Sequence, residues 1–90
     1  MIFPNVSLYW RNCSIRESFA HFSYYFSDRK SLYTRVTSIL LCEKPDTTLE
    51  ELSNISPHDF LMIHAIGPKS LAMIINVFEL AGIDYFSKHK

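Results

Sequence analysis

Between Pro45 and Gly82 the chain carries a dense series of backbone stop and start signals, and these limit its fold more than any other feature. Pro45 ends the helix before it, because it has no N–H and holds the preceding Lys44 away from helical geometry. Thr48 followed three residues later by Glu51 reads as a capping box, in which hydroxyl and carboxylate satisfy the first backbone donors of a new helix. Ser56-Pro57-His58-Asp59 repeats the start, with serine at the cap, proline where no donor is lost, and Asp59 against the positive end of the helix dipole. Gly67-Pro68 turns the chain into a further helix, which Gly82 stops in the left-handed conformation. The spacing predicts short helices over about 48–53 and 57–64 and a longer one over about 69–81.

Upstream, Ile15, Phe19, Phe22 and Phe26 recur at helical spacing and predict a helix over about 14–26. Ser27-Asp28-Arg29-Lys30 breaks the period and offers capping oxygens for a second helix, ending near Cys42. Leu32, Val36, Ile39 and Leu40 share one side of it, and Arg35 and Ser38 the other. Residues 1–13 have no clear period, although Val6, Leu8 and Trp10 alternate as a short strand or extended arm does. The expected fold class is all-α: a compact bundle of four to five short helices with an aromatic-rich N-terminal helix or arm. Its 90 residues make one domain, read as arm and helix over 1–30, core over 31–83 and tail over 84–90.

The expected core comprises Leu32, Val36, Ile39, Leu49, Leu52, Ile55, Phe60, Leu61, Ile66, Leu71, Ile74, Ile75 and Phe78. The last long helix has a second apolar face in Met73, Val77 and Leu80, leaving Ala72, Asn76 and Glu79 for solvent. Such a helix is covered on two sides. Nine of the thirteen aromatics lie in the first 33 residues, so the cover is either this N-terminal third or a second copy across a shared interface.

Hydrophobic residues at 48% and charged ones at 20% exclude intrinsic disorder. A net charge of zero removes the simplest argument for nucleic-acid binding, yet every arginine (Arg11, Arg16, Arg29, Arg35) lies in the first half. Cys13 and Cys42 are too few for a disulfide framework and are expected reduced and half-buried. They and His21, His58, His64 and His89 lack metal-ligand spacing, so neither cofactor nor metal is expected. No nucleotide loop or paired-carboxylate constellation supports catalysis, and an enzyme is the least expected class. Met1 to Asn5 lacks the basic start and apolar run of a signal peptide, and no stretch approaches the roughly 20 apolar residues of a membrane span. A cytoplasmic location without a membrane partner is the expectation.

The functional signal lies in the string from Phe60 to Ile74, a short helix, a hairpin containing Gly67 and a longer helix. This resembles a helix-hairpin-helix element. A glycine turn at a helix start lets backbone N–H groups approach a phosphate, and the helix dipole favours the negative charge. Lys69 and Ser70 add a cation and a hydroxyl at the same place. Over about residues 31–83 the chain is similar to the C-terminal domain of the bacterial RNA polymerase alpha subunit, a helical module that contacts promoter DNA and transcription factors. Gly67-Pro68-Lys69-Ser70-Leu71 matches that family's Gly-x-Lys-Ser-Leu turn. Arg35 and Ser38 fall where the family has an Arg followed three residues later by a polar amide, with Leu40 at an apolar position behind them. Ser38 replaces the family's Asn, and Pro68 stands where a basic or polar residue is usual.

The resemblance implies a non-enzymatic, transcription-related module that meets the DNA backbone or minor groove through Arg35, Ser38, Gly67, Lys69 and Ser70. Plainer readings compete with it: Gly67 serves only the turn, Lys69 is a solvated helix-start residue, Arg35 pairs with Glu43 or Asp46, and His64 is structural. Neutral charge and the aromatic N-terminal third favour a different class, a protein-interaction module that includes a homodimer and makes no DNA contact.

Overall fold

In the computed structural model, which describes residues 12–89, helix α1 (Ile15–Phe22) begins at Ser14, whose hydroxyl accepts the N–H of Glu17. Ile15, Phe19 and Phe22 are buried along one side, as their spacing predicts. The alternation of Val6, Leu8 and Trp10 lies outside the described residues. After Phe22 the chain does not extend the α-helix to position 26. It tightens into a 3₁₀ segment (Ser23–Arg29) that bends at Phe26 (φ −121°, ψ 29°) and runs straight into α2 (Lys30–Glu43). The capped start expected at Ser27–Lys30 is absent, since Arg29 at the cap makes no side-chain bond to the helix. The Phe26 ring stacks on Tyr33 at 4.8 Å and 17°, and the tight segment is what turns that ring inward.

The later start and stop signals act as expected, although the helix expected over about 57–64 already ends at Leu61. The Lys44 N–H closes α2 on the Leu40 carbonyl just before Pro45. Thr48 and Glu51 form both arms of the capping box on α3 (Leu49–Leu52), and Ser56 accepts from Asp59 at the start of α4 (Pro57–Leu61). Residues 62–67 turn the chain into α5 (Pro68–Leu80), which Gly82 stops at φ 80°. Beyond it, the segment read as a tail holds a single turn, α6 (Tyr85–Lys88), capped by Asp84. Tyr85 is fully buried, donates its hydroxyl to the Ile55 carbonyl at 2.6 Å and stacks on Phe78 at 5.1 Å.

A short antiparallel bridge between Ser14 and Thr48 ties the N-terminal third to the rest, with Ile15 donating to Thr47 and Leu49 to Cys13, both at 3.0 Å. Helices α1 and α2 pack on α5, where Met73 and Val77 are fully buried, so the second face is covered within the chain. Leu80, at the helix end, escapes this cover. Of the expected core, Val36, Leu49, Leu52, Phe60, Ile66, Leu71, Ile74 and Phe78 are buried, and Leu32, Ile39, Ile55 and Ile75 pack partly against them. Leu61 is exposed, because α4 is one turn long and the inward position falls to Phe60, about 100° away around the helix. Neither cysteine is half-buried: Cys13 is buried and Cys42 exposed, both as free thiols. Among the described residues no helix is long and apolar enough to cross a membrane.

Phe78 and Tyr85 share one stack, so replacing either ring by alanine costs about 3–5 kcal/mol, read as a shift of the denaturant midpoint. An unchanged midpoint for Tyr85→Ala shows α6 to be dispensable. Burial, with the Asp59 charge second, pushes the Tyr85 phenol up to about 12, and burial also raises that of Tyr33. A raised folded-state value means the folded chain resists ionisation. The stabilisation is therefore whole below about pH 10, where an exposed tyrosine is neutral, and is lost as pH rises toward the folded-state values. Unfolding followed by circular dichroism in rising alkali checks this.

Candidate nucleic-acid interface

The start of α5 differs from most helix starts in the chain. Ser14, Thr48, Ser56 and Asp84 each place a side-chain oxygen on the first donors of α1, α3, α4 and α6. Gly67 places none on α5. Pro68 has no donor, and the first internal bond runs from the Leu71 N–H to the Gly67 carbonyl at 2.9 Å. The N–H groups of Lys69 and Ser70 thus precede the internal ladder, at the positive end of a 13-residue helix. α2 also starts without a side-chain cap, but there the 3₁₀ segment leads directly into the helix.

Gly67 does not serve the turn in the way its residue type suggests. Its φ of −106° and ψ of −174° are extended backbone that any residue adopts, and an added Cβ would meet nothing within 4 Å. The left-handed residue of the turn is Ala65, at φ 71°. An alanine in that region is strained, and nothing in the sequence marks it. The fold therefore takes its positive φ from a residue with a side chain, while the glycine keeps a patch of backbone bare at the surface.

Across from this bare patch stands α2. Leu32, Arg35, Ala65, Gly67, Pro68, Lys69 and Ser70 line a single groove, which holds two cations and no acid. Arg35 and Lys69 are exposed, and no ion pair joins Arg35 to Glu43 or Asp46. Leu32, expected in the core on the side of α2 opposite Arg35, is half-buried and lines the same groove as Arg35, because residues three apart on a helix are neighbours. Ser70 is 5% exposed, so little of the residue is offered to a ligand. Ser38 does not join the others. It lines a different groove with Arg16, Thr34 and Thr37, where α1 meets α2. Of the five residues the resemblance implies, the structure brings together Arg35, Gly67, Lys69 and Ser70.

His64 is exposed in the turn. Among the described residues no group of His, Cys, Asp and Glu is arranged to hold a metal ion. No protein-family model matches the chain, and neither a curated protein nor a solved structure does.

The two glycines respond differently to alanine. Gly67→Ala leaves stability within about 0.5 kcal/mol, as at an unconstrained surface site. Gly82→Ala, held at φ 80°, costs about 1–2 kcal/mol. Thermal melts of the two variants beside the parent separate these outcomes.

Proposed function

We propose that this chain is a non-enzymatic DNA-binding module, transcription-related as the resembled family is, that seats a phosphate of the DNA backbone in the groove between α2 and the start of α5. The observation that carries this reading is the convergence of Arg35 and Lys69, from separate helices, around a glycine that neither backbone geometry nor packing requires. A phosphate there is offered two cations and the N–H of the exposed Lys69 in the field of a helix dipole. The bare backbone at Gly67 lets a bulky sugar-phosphate come close. These are the parts that a helix-hairpin-helix element uses, and contacts of this kind position a module on DNA without reading sequence.

Charge sets the strength. Two cations neutralise about two phosphates, so the logarithm of affinity falls with that of salt at a slope near −2, and raising salt from about 50 to 200 mM weakens binding about tenfold. Fluorescence anisotropy with a labelled duplex at low salt measures this. Lys69→Glu and Arg35→Ala each reduce affinity, and Gly67→Leu does so without altering a charge. Absence of binding at low salt, or binding indifferent to all three substitutions, overturns the reading in favour of a protein-interaction module.

A further inference from the structure

The end of α5 remote from the hairpin carries a second surface that the nucleic-acid reading leaves unused. Tyr25, Phe26, Arg29, Asn76, Glu79 and Leu80 line a groove between the 3₁₀ segment and the last turns of α5. Its floor is Phe26, which is buried, and its apolar walls are Tyr25 and Leu80, exposed at 55% and 43%. Tyr24, exposed at 81%, meets the Tyr25 ring edge-on at 5.7 Å and extends the apolar surface. Clustered exposed tyrosines with an arginine beside them are the composition of a protein contact.

The charges select the occupant. Arg29 comes from the 3₁₀ segment, where its guanidinium lies 5.2 Å from the centre of the Phe26 ring and 3.8 Å from the exposed Asp28 carboxylate. Glu79 comes from α5. The two line the same groove, yet no ion pair joins them within the chain. A uniformly acidic or basic partner meets repulsion at one wall. A second copy of this chain, placed by a two-fold rotation, sets the Arg29 of each copy against the Glu79 of the other while Tyr25 and Leu80 meet at the centre. The chain's zero net charge sets no long-range repulsion against this approach.

We infer that the face formed by Tyr25, Phe26, Leu80, Arg29 and Glu79 is a homodimer surface with reciprocal Arg29–Glu79 pairs across the two-fold axis. So small a patch gives a weak, reversible dimer.

Sedimentation equilibrium of the full chain from micromolar to millimolar concentration tests the inference. The expected result is a monomer–dimer equilibrium that Leu80→Asp abolishes. Glu79→Arg and Arg29→Glu each appear twice in the dimer, turn attraction into repulsion at both pairs, and raise the dissociation constant about tenfold or more. The combined variant, with both reversals, restores association. Circular dichroism confirms that each variant keeps its helix content; because Arg29→Glu also removes the contact with Phe26, Glu79→Arg is the cleaner single reversal. Lys69→Glu, at the other end of α5, leaves dimerisation unchanged and so separates this surface from the DNA groove. A chain that stays monomeric at millimolar concentration, a dimer indifferent to Glu79→Arg, or a combined variant that fails to recover overturns the inference.

Discussion

The burial of α5 on two sides is the constraint from which the rest of the structure follows. Met73, Ile74, Val77 and Phe78 are all fully buried and spread over about 140° of the helix circumference, an arc that the half-buried Ile75 widens to about 200°. One neighbour cannot cover them. On one side Phe60 and Tyr85 pack with Phe78, at 6.3 and 5.1 Å between ring centres. On the other, α1 and α2 bring Phe19, Tyr33 and Val36 into the core. A domain this small buries a modest share of its surface, and large aromatic rings are how it gathers apolar area from short elements.

That demand explains why the N-terminal third is part of the domain. The backbone pairing of Cys13 and Ile15 with Leu49 and Thr47 fixes where α1 starts, and the Tyr33 hydroxyl donates to the Phe19 carbonyl at 2.5 Å where α1 and α2 meet. A buried phenol needs such a partner, since an unsatisfied hydroxyl in the core costs about 1–3 kcal/mol. The 3₁₀ segment follows from the same requirement: α1 and α2 must both reach α5, and the chain between them has to turn sharply while keeping Phe26 inside.

What was legible in the sequence was what local chemistry decides. The starts at Thr48 and Ser56, the stop at Gly82 and the break at Pro45 depend on a residue and its near neighbours, and each acts where its residue type says. The bend at Phe26 was hidden because a stack with Tyr33 sets it, against a helical period that runs through Phe26 unbroken. Helix α6 was hidden because a single turn has no period, and Tyr85 earns its place through Phe78 and Ile55, distant in sequence. The site shows the same division. Arg35 and Lys69 are recognisable by type and position, but that Ala65 and not Gly67 takes the left-handed conformation, and that Ser38 faces another groove, depend on how α2 settles against its neighbours.

The two proposed surfaces sit at opposite ends of α5, and this spacing bears on how they act together. Lys69 and Leu80 are about 16 Å apart along the axis, at 1.5 Å per residue, so a partner at one end need not displace a ligand at the other. On the proposed reading, a groove with two cations would hold a phosphate backbone only weakly by itself. Under the dimer proposal the same two-fold axis that pairs Arg29 with the partner's Glu79 also repeats the groove. The second groove then engages at the effective concentration set by a rigid link, where avidity can exceed single-site affinity by about 10²–10⁴ if the geometry of the duplex allows both to seat. A chain of zero net charge would in this way obtain useful affinity from geometry, by placing a few cations twice, without accumulating the basic surface that its composition lacks.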